Sequence, residues 1–387
     1  MFKRDVQKEL QNSAKNFPVV TVTGPRQSGK TTLVRSTFAK KPYVNLEDLD
    51  TRELAESDPR GFLEEYPEGA ILDEVQRVPS ILSYIQVIVD EKKQKGQFIL
   101  TGSHQVELHE AISQSLAGRT DLLSLFPMTI NELSQAGFDM TVDEYLLNGF
   151  YPQIYQETLN PTKVYRAYVK TYLERDVRRL INIKNLNLFQ RFIKLCAGRV
   201  GQLLNMSSLA NEVGVSSHTI EEWTSVLQAS YLVILLQPYF ENFGKRVIKS
   251  TKLYFTDVGL LSYLLGIENV KQMSRDPLRG HLVENLVMME LFKARSNQGL
   301  EPQLYFYRDS QKNEVDVIFQ RGHELIPIEI KSAKTFNREF LKNLHFFQKI
   351  AEGRSPQGFV IYCGEKEQVL HLNRLINFKN SYQSLQI

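Results

Sequence analysis

FPVVTVTG (17–24) runs directly into PRQSGKTT (25–32), and the reading of this stretch decides the fold. The first half is an apolar run rich in β-branched residues that ends in glycine. It reads as a buried parallel strand. In the second half, Gly24, Gly29, Lys30 and Thr31 match G-x-x-x-x-G-K-[ST] at every fixed position, and a helical stretch follows. Glycines at these positions let backbone N–H groups turn inward around a phosphate. The helix that follows aims its positive N-terminal end at the same point. Gly24, Pro25, Arg26, Gln27, Ser28, Gly29, Lys30, Thr31 and Thr32 are therefore expected to bind ATP. Lys30 should reach the β and γ phosphates, and Thr31 should ligate Mg2+.

Such a loop needs an acid on a neighbouring strand for hydrolysis. GAILDEV (69–75) ends an apolar run in Asp73 and Glu74. Asp73 is expected to hold the magnesium, directly or through water. Glu74 is expected to orient and deprotonate the attacking water. YVNLED (43–48), QFILTGS (97–103) and LLSLFPM (122–128) read as further strands, separated by helical stretches such as PSILSYIQVIVDEKK (79–93). This alternation predicts an α/β fold, a parallel sheet covered by helices on both faces. Ser103, or Thr101, stands where the γ-phosphate could be sensed; the alternative for Ser103 is a helix N-cap.

LTGSHQ (100–105), SLAGRT (115–120), LFPMTINEL (125–133), NGFYP (148–152) and TYLERDV (171–177) follow. Together with the loop, this set over residues 17–180 resembles the bacterial and archaeal AAA-type (AAA+) P-loop ATPases. The resemblance implies a homo-oligomer in which an arginine of one subunit completes its neighbour's site. Arg119 is the first candidate for that role and Arg175 the second. An arginine in that role is worth about 10³–10⁵ in rate. The competing reading is an intrachain salt bridge, such as Arg175 with an acid on its own helix.

At 387 residues the chain has room for two or three domains. Apolar residues make up 42% and charged residues 24%, values that exclude a disordered chain. A net charge of +3 means that any nucleic-acid contact must come from local basic patches. Cys196 and Cys363 lie far apart and outside metal-ligand spacing, consistent with two buried thiols in a reducing cytoplasm. MFKRDVQKEL at the start lacks an apolar h-region, and no run of about 18 apolar residues occurs, so neither a signal peptide nor a membrane span is expected.

Residues 161–183 read as one long helix opened by Pro161, with Lys163, Arg166 and Lys170 on one face and Arg178–Arg179 extending a basic side. That face could touch nucleotide, a neighbouring subunit or DNA, or simply be solvated. MSSLANEVGVSSHTIEEWTSVLQASYLVILLQPY (206–239) contains a helix, a turn near Gly214 and a second helix from Ser216 or Ser217. Two strand-like runs around the basic stretch FGKRVIKSTK complete the order of a winged helix. Glu221–Glu222 on the second helix repel phosphate, whereas Ser216, Ser217, His218 and Thr219 could approach DNA. Lys245, Arg246, Lys249 and Lys252 in the wing are the expected phosphate contacts. Winged helices also serve as protein-interaction modules.

RGHLVENLVMMELFKA (279–294) reads as a helix carrying Glu284, followed by strands LYFYRD (304–309), EVDVIFQ (314–320), PIEIKSAK (327–334) and FVIYCG (359–364). Glu329 and Lys331 alternate along a strand and so share a side, away from Ile328 and Ile330. Asp316 with Glu329-x-Lys331 is a pattern that can bind a divalent metal, the lysine positioning water. The arrangement over 279–364 looks like the PD-(D/E)xK fold of restriction enzymes and archaeal junction resolvases, with Glu284 as the additional acid and Val315 in place of the usual proline. That resemblance implies Glu284, Asp316 and Glu329 as metal ligands and Lys331 as a catalytic residue. His281 and His323 nearby read as incidental surface residues.

The resulting expectation is an AAA-type core (1–135), a helical lid (136–185), a winged-helix domain (186–265) and a restriction-endonuclease-like α/β domain (266–387). Three readings compete: an ATP-dependent enzyme that processes DNA, a nuclease-like fold that only binds DNA or a protein partner, and a signalling ATPase whose oligomerisation is switched by ATP.

Overall fold

The computed structural model describes residues 2–103, 112, 114–173, 185–240 and 250–386. Within them the chain forms two compact units. One comprises Met1–Met128 with Ala229–Tyr231 and Arg295–Glu301; the other comprises Thr129–Gln228, Leu232–Ala294 and Pro302–Ile387.

The first unit is built on a five-stranded sheet of β1 (Val19–Thr23), β2 (Tyr43–Asn45), β3 (Ile71–Asp73), β4 (Phe98–Thr101) and β5 (Thr120–Ser124). All neighbours are parallel, in the order β2-β3-β4-β1-β5. Parallel strands buried on both faces need apolar side chains on both. Val19, Leu72, Phe98 and Leu100 pack into one core. Val20, Val22, Ile71, Ile99 and Leu123 pack into another, with Val6 and Leu10 of α1 (Gln7–Asn16) and Leu33 and Val34 of α2 (Lys30–Thr37). β5 begins two residues earlier than the run 122–128 suggests, because Val19 pairs with Thr120. Residues 229–231 belong to this unit through Tyr231, whose hydroxyl donates to Thr23 Oγ1 at 2.7 Å.

The second unit opens with short helices. The long helix expected over 161–183 is Pro161–Tyr168 followed by a π-helical turn, Val169–Leu173; the basic pair Arg178–Arg179 lies outside the described residues. Tyr165 and Tyr168 supply the buried side of that helix, and Lys163, Arg166 and Lys170 form an exposed face. Further along, Met206–Val213 ends at Gly214 (φ +89°) and Ser217–Ala229 follows, as the helix–turn–helix reading expects. β6 (Val233–Leu236) and β7 (Lys252–Phe255) then pair antiparallel.

The C-terminal part is a six-stranded mixed sheet. It contains β8 (Leu304–Arg308), β9 (Glu314–Arg321), β10 (Glu324–Lys331), β11 (Gly358–Tyr362), β12 (Gln368–Leu370) and β13 (Asn373–Asn377), in the order β12-β13-β11-β10-β9-β8. β8, β9 and β10 form an antiparallel meander, whereas β10 and β11 are parallel. The helix Arg279–Ser296 and the helix Lys342–Ile350 belong to this part. β12 and β13 were not legible in the sequence: they are short, and QVL and NRLIN show neither an apolar run nor a strict alternation. Cys196 and Cys363 are buried free thiols.

Candidate nucleotide site

The loop after β1 turns where the sequence demands it. Gly24 sits at φ +138°, and a Cβ there would lie 2.2 Å from the Leu125 carbonyl oxygen. Gly29 takes φ +95° as α2 begins, which aims the first amides of the helix back at the loop. Arg4 braces the loop from behind: Nη1 donates to the Ser28 carbonyl at 2.8 Å and Nη2 to the Phe126 carbonyl at 2.7 Å. The Lys30 ammonium is buried and donates to the carbonyl oxygens of Gly24 (3.0 Å) and Pro25 (2.9 Å). Burial pushes its pKa down to about 8, against the pull of Glu74 and Asp73. The buried Ser28 hydroxyl has no hydrogen-bond partner among the described residues. A cradle of inward amides, an ammonium and an unsatisfied hydroxyl suits a phosphate chain.

Asp73 ends β3 and is buried. Three hydroxyls converge on it. Thr31 Oγ1 donates to Oδ2 at 2.8 Å, Tyr43 OH donates to the same oxygen at 2.7 Å, and Thr101 Oγ1 donates to Oδ1. Glu74, one residue on, lies in the left-handed region (φ +58°), so its side chain departs from the strand direction. Ser103 Oγ donates to Glu74 Oε1 at 2.8 Å, Gln76 Nε2 donates to Oε2, and the Glu74 amide donates to Thr101 Oγ1 at 3.2 Å. Thr31 and Asp73 thus present adjacent hard oxygen atoms beside the phosphate cradle, the donor set magnesium takes. Tyr43, Arg4 and Gln76 were missed in the sequence. Tyr43 opens a stretch legible only as a strand, and nothing local marks its hydroxyl as a partner of Asp73.

Arg119 lies at the start of β5, where its carbonyl accepts from the Val19 amide (3.2 Å), the end of the sheet opposite Gly24. Its guanidinium makes a bidentate pair with Asp90, Nε to Oδ1 at 2.7 Å and Nη2 to Oδ2 at 2.8 Å. It therefore serves no nucleotide in its own subunit. Arg175 lies outside the described residues, as do Lys245, Arg246 and Lys249.

Lys252 departs from expectation. As a residue of β7 it is 1% exposed, and its ammonium meets Glu284 Oε1 at 3.2 Å and Glu314 Oε1 at 2.6 Å. A side chain so buried cannot contact DNA phosphate; β7 is buried along its whole length, and Glu284 and Glu314 receive the ammonium. Tyr254 OH also donates to Glu284 Oε1, at 2.6 Å, and His281 Nδ1 lies 3.6 Å from Oε2. His281 is therefore no incidental surface residue, and the Glu284 carboxylate beside it raises its pKa. Burial works to raise the Glu284 carboxyl, but Lys252 and His281 outweigh it and the pKa falls.

Glu329 and Lys331 do share a side of β10: Nζ lies 2.5 Å from Glu329 Oε2 and 3.6 Å from Asp316 Oδ2. Asn343 Nδ2 donates to Glu329 Oε1 at 3.2 Å, and the Ile330 amide donates to Asp316 Oδ2 at 2.8 Å. Burial raises the pKa of both Glu329 and Asp316. Among the described residues no three of His, Cys, Asp and Glu gather closely enough to hold a metal ion. Of the three acids expected to share one ion, Glu284 pairs with Lys252, while Asp316 and Glu329 both face Lys331.

A sequence signature described as an AAA domain matches residues 16–134. Two signatures described as domains of unknown function, DUF8612 and DUF4143, match residues 140–271 and 279–380. Uncharacterized proteins of Mycobacterium bovis and Mycobacterium tuberculosis are each 31% identical over 339 residues, covering 86% of this chain and 74% of theirs. Among solved structures, the Walker-type ATPase PABY2304 of Pyrococcus abyssi aligns at 15% identity with a TM-score of 0.47, over 68% of this chain and 96% of its own. No helix among the described residues is long and apolar enough to cross a membrane.

Proposed function

The chain belongs to the family of the two mycobacterial proteins, built on an AAA-type P-loop ATPase domain, and from that membership we propose that it hydrolyses ATP at the Lys30/Asp73/Glu74 site. The observation that carries this reading is the Thr31–Asp73 contact of 2.8 Å beside a phosphate cradle, with Glu74 turned out of the strand. The loop amides and Lys30 take the β and γ phosphates, the ammonium exchanging two backbone carbonyls for phosphate oxygens. Thr31 and Asp73 hold the cation's side of the site. Magnesium, when bound, neutralises charge on the phosphates. Glu74 accepts the proton of the attacking water, and Ser103 and Gln76 keep its carboxylate oriented for that. Release of inorganic phosphate from ATP, dependent on a divalent cation, tests the reading. Nucleotide binding with no phosphate release would reduce the domain to a switch.

We further propose a homo-oligomer in which Arg119 or Arg175 reaches a neighbour's γ-phosphate, with DNA as the effector. The exposed start of the second helix of the helix–turn–helix, Ser216 and His218, supports a nucleic-acid or protein contact there. A second reading is favoured by the lysine-paired carboxylates: the C-terminal α/β part is a catalytically silent interaction module regulated by ATP. Hydrolysis measured with linear, single-stranded and four-way-junction DNA, with the DNA run on a gel in magnesium or manganese, separates the two. Stimulation by one form with cleavage lost in Asp316→Ala would establish a nuclease. Indifference to every form would direct the search to protein partners.

A further inference from the structure

We propose that Tyr43 is a positioning residue for Asp73 and sets the affinity of the site for its divalent cation, an inference that rests on the ATPase reading above. Asn45, not Tyr43, pairs with Asp73 across β2 and β3; Tyr43 pairs with Ile71, two residues lower. Only the length of the tyrosine side chain brings its hydroxyl up to Asp73 Oδ2, at 2.7 Å. Thr31 donates to that same oxygen from the start of α2, and Thr101 holds the other. The carboxylate therefore has both oxygens tied, and its plane is set by groups from three separate elements.

The ring of Tyr43 is itself held. The Arg35 guanidinium, one turn along α2 from Thr31, lies over it at 4.4 Å from the centroid. The helix that presents Lys30 and Thr31 to the phosphates thus also clamps the residue that orients Asp73. A cleft of about 510 Å3 lined by Thr31, Thr32, Arg35, Lys41 and Tyr43 gives solvent access to this side of the site. Asp73 acts on the cation as an oriented, charge-bearing acceptor. Losing one of the two hydrogen bonds to Oδ2 leaves the carboxylate less firmly oriented and weakens the cation's side of the site, while the phosphate cradle of Gly24–Lys30 is untouched.

The test separates cation from nucleotide. Mn2+ is titrated into the full chain with adenylyl imidodiphosphate and followed by electron paramagnetic resonance, for the natural protein and Tyr43→Phe. Binding of a fluorescent ATP analogue in EDTA is measured in parallel. Phenylalanine keeps the ring under Arg35 and removes only the hydroxyl. The expected result is Mn2+ affinity reduced roughly tenfold, as loss of one hydrogen bond to a carboxylate implies, with metal-free nucleotide affinity unchanged. Arg35→Gln, which keeps the hydroxyl but frees the ring, should weaken Mn2+ binding in the same direction and by less. Mn2+ affinity unchanged in both variants overturns the proposal, and so does an equal loss of Mn2+ and metal-free nucleotide binding. Failure of the natural protein to bind any nucleotide would instead overturn the ATPase reading itself.

Discussion

The Lys30 ammonium lies 2.9 Å from the carbonyl oxygen of Pro25, so the charge meant for phosphate is folded back onto its own loop. Burial there lowers its pKa to about 8, whereas the unfolded chain keeps lysine near its ordinary value. The unfolded state then holds more protons between pH 8 and the ordinary lysine range, so this residue's cost to stability is fully present below about pH 8 and is relieved as pH rises through that window. ATP should raise the Lys30 pKa again, so binding at a pH of about 8.5 takes up a proton and weakens as pH rises further. Calorimetry in two buffers of different ionisation enthalpy reads that uptake. Lys30→Ala should abolish nucleotide binding, and a natural protein that binds ATP without proton uptake would contradict the assignment.

Glu74→Gln keeps the shape of the side chain and its contact with Ser103 but removes the base. Nucleotide affinity should stay near that of the natural protein, and turnover should fall by about 10²-fold or more. Equilibrium binding and phosphate release, measured on one preparation, check both halves. Normal hydrolysis would remove Glu74 from the role.

Gly24→Ala introduces a Cβ 2.2 Å from a backbone oxygen at φ +138°, a conformation L side chains rarely adopt. The loop must shift, at a cost of roughly 1–3 kcal/mol. Thermal denaturation should show the loss of stability, and ATP affinity should fall with it because the loop amides no longer converge.

Lys252→Met leaves the Glu284 carboxylate without its ammonium partner, whereas Glu314 keeps Arg308. Breaking one side of a buried pair costs about 3–5 kcal/mol, so chemical denaturation should show a large drop. Adding Glu284→Gln should recover part of it, because the uncompensated charge is then gone. An unchanged midpoint in the single variant would contradict the ion-paired placement.

Much of the candidate site was legible because it is local. The glycine spacing of 24–31 and the apolar run ending at Asp73 each depend on residues adjacent in the chain, and alternation along β10 alone places Glu329 beside Lys331. The exact start of β5 was misplaced, since strand ends are decided by the neighbour's register, here Val19 with Thr120. Lys252 was misread for the same reason. In a basic stretch it looks like a wing contact, and only the acids of two distant elements make its burial tolerable.

The P-loop, the acid pair beside it, the β-α alternation and the side of β10 that carries charge can all be read along the chain. These follow from side-chain period and from backbone conformations that few residues tolerate. The folded chain alone reveals that Tyr43 and Thr101 hold Asp73, that Arg4 braces Ser28, that Lys252 pairs with Glu284, and that Lys331 faces Asp316 and Glu329. Tyr43, Asp73 and Thr101 are joined by the strand order β2-β3-β4-β1-β5, and the lysines and their acids by the packing of β7, β9 and β10 with the helix Arg279–Ser296. The contacts span long stretches of chain, and the energy that selects them is burial, which no short window of sequence contains.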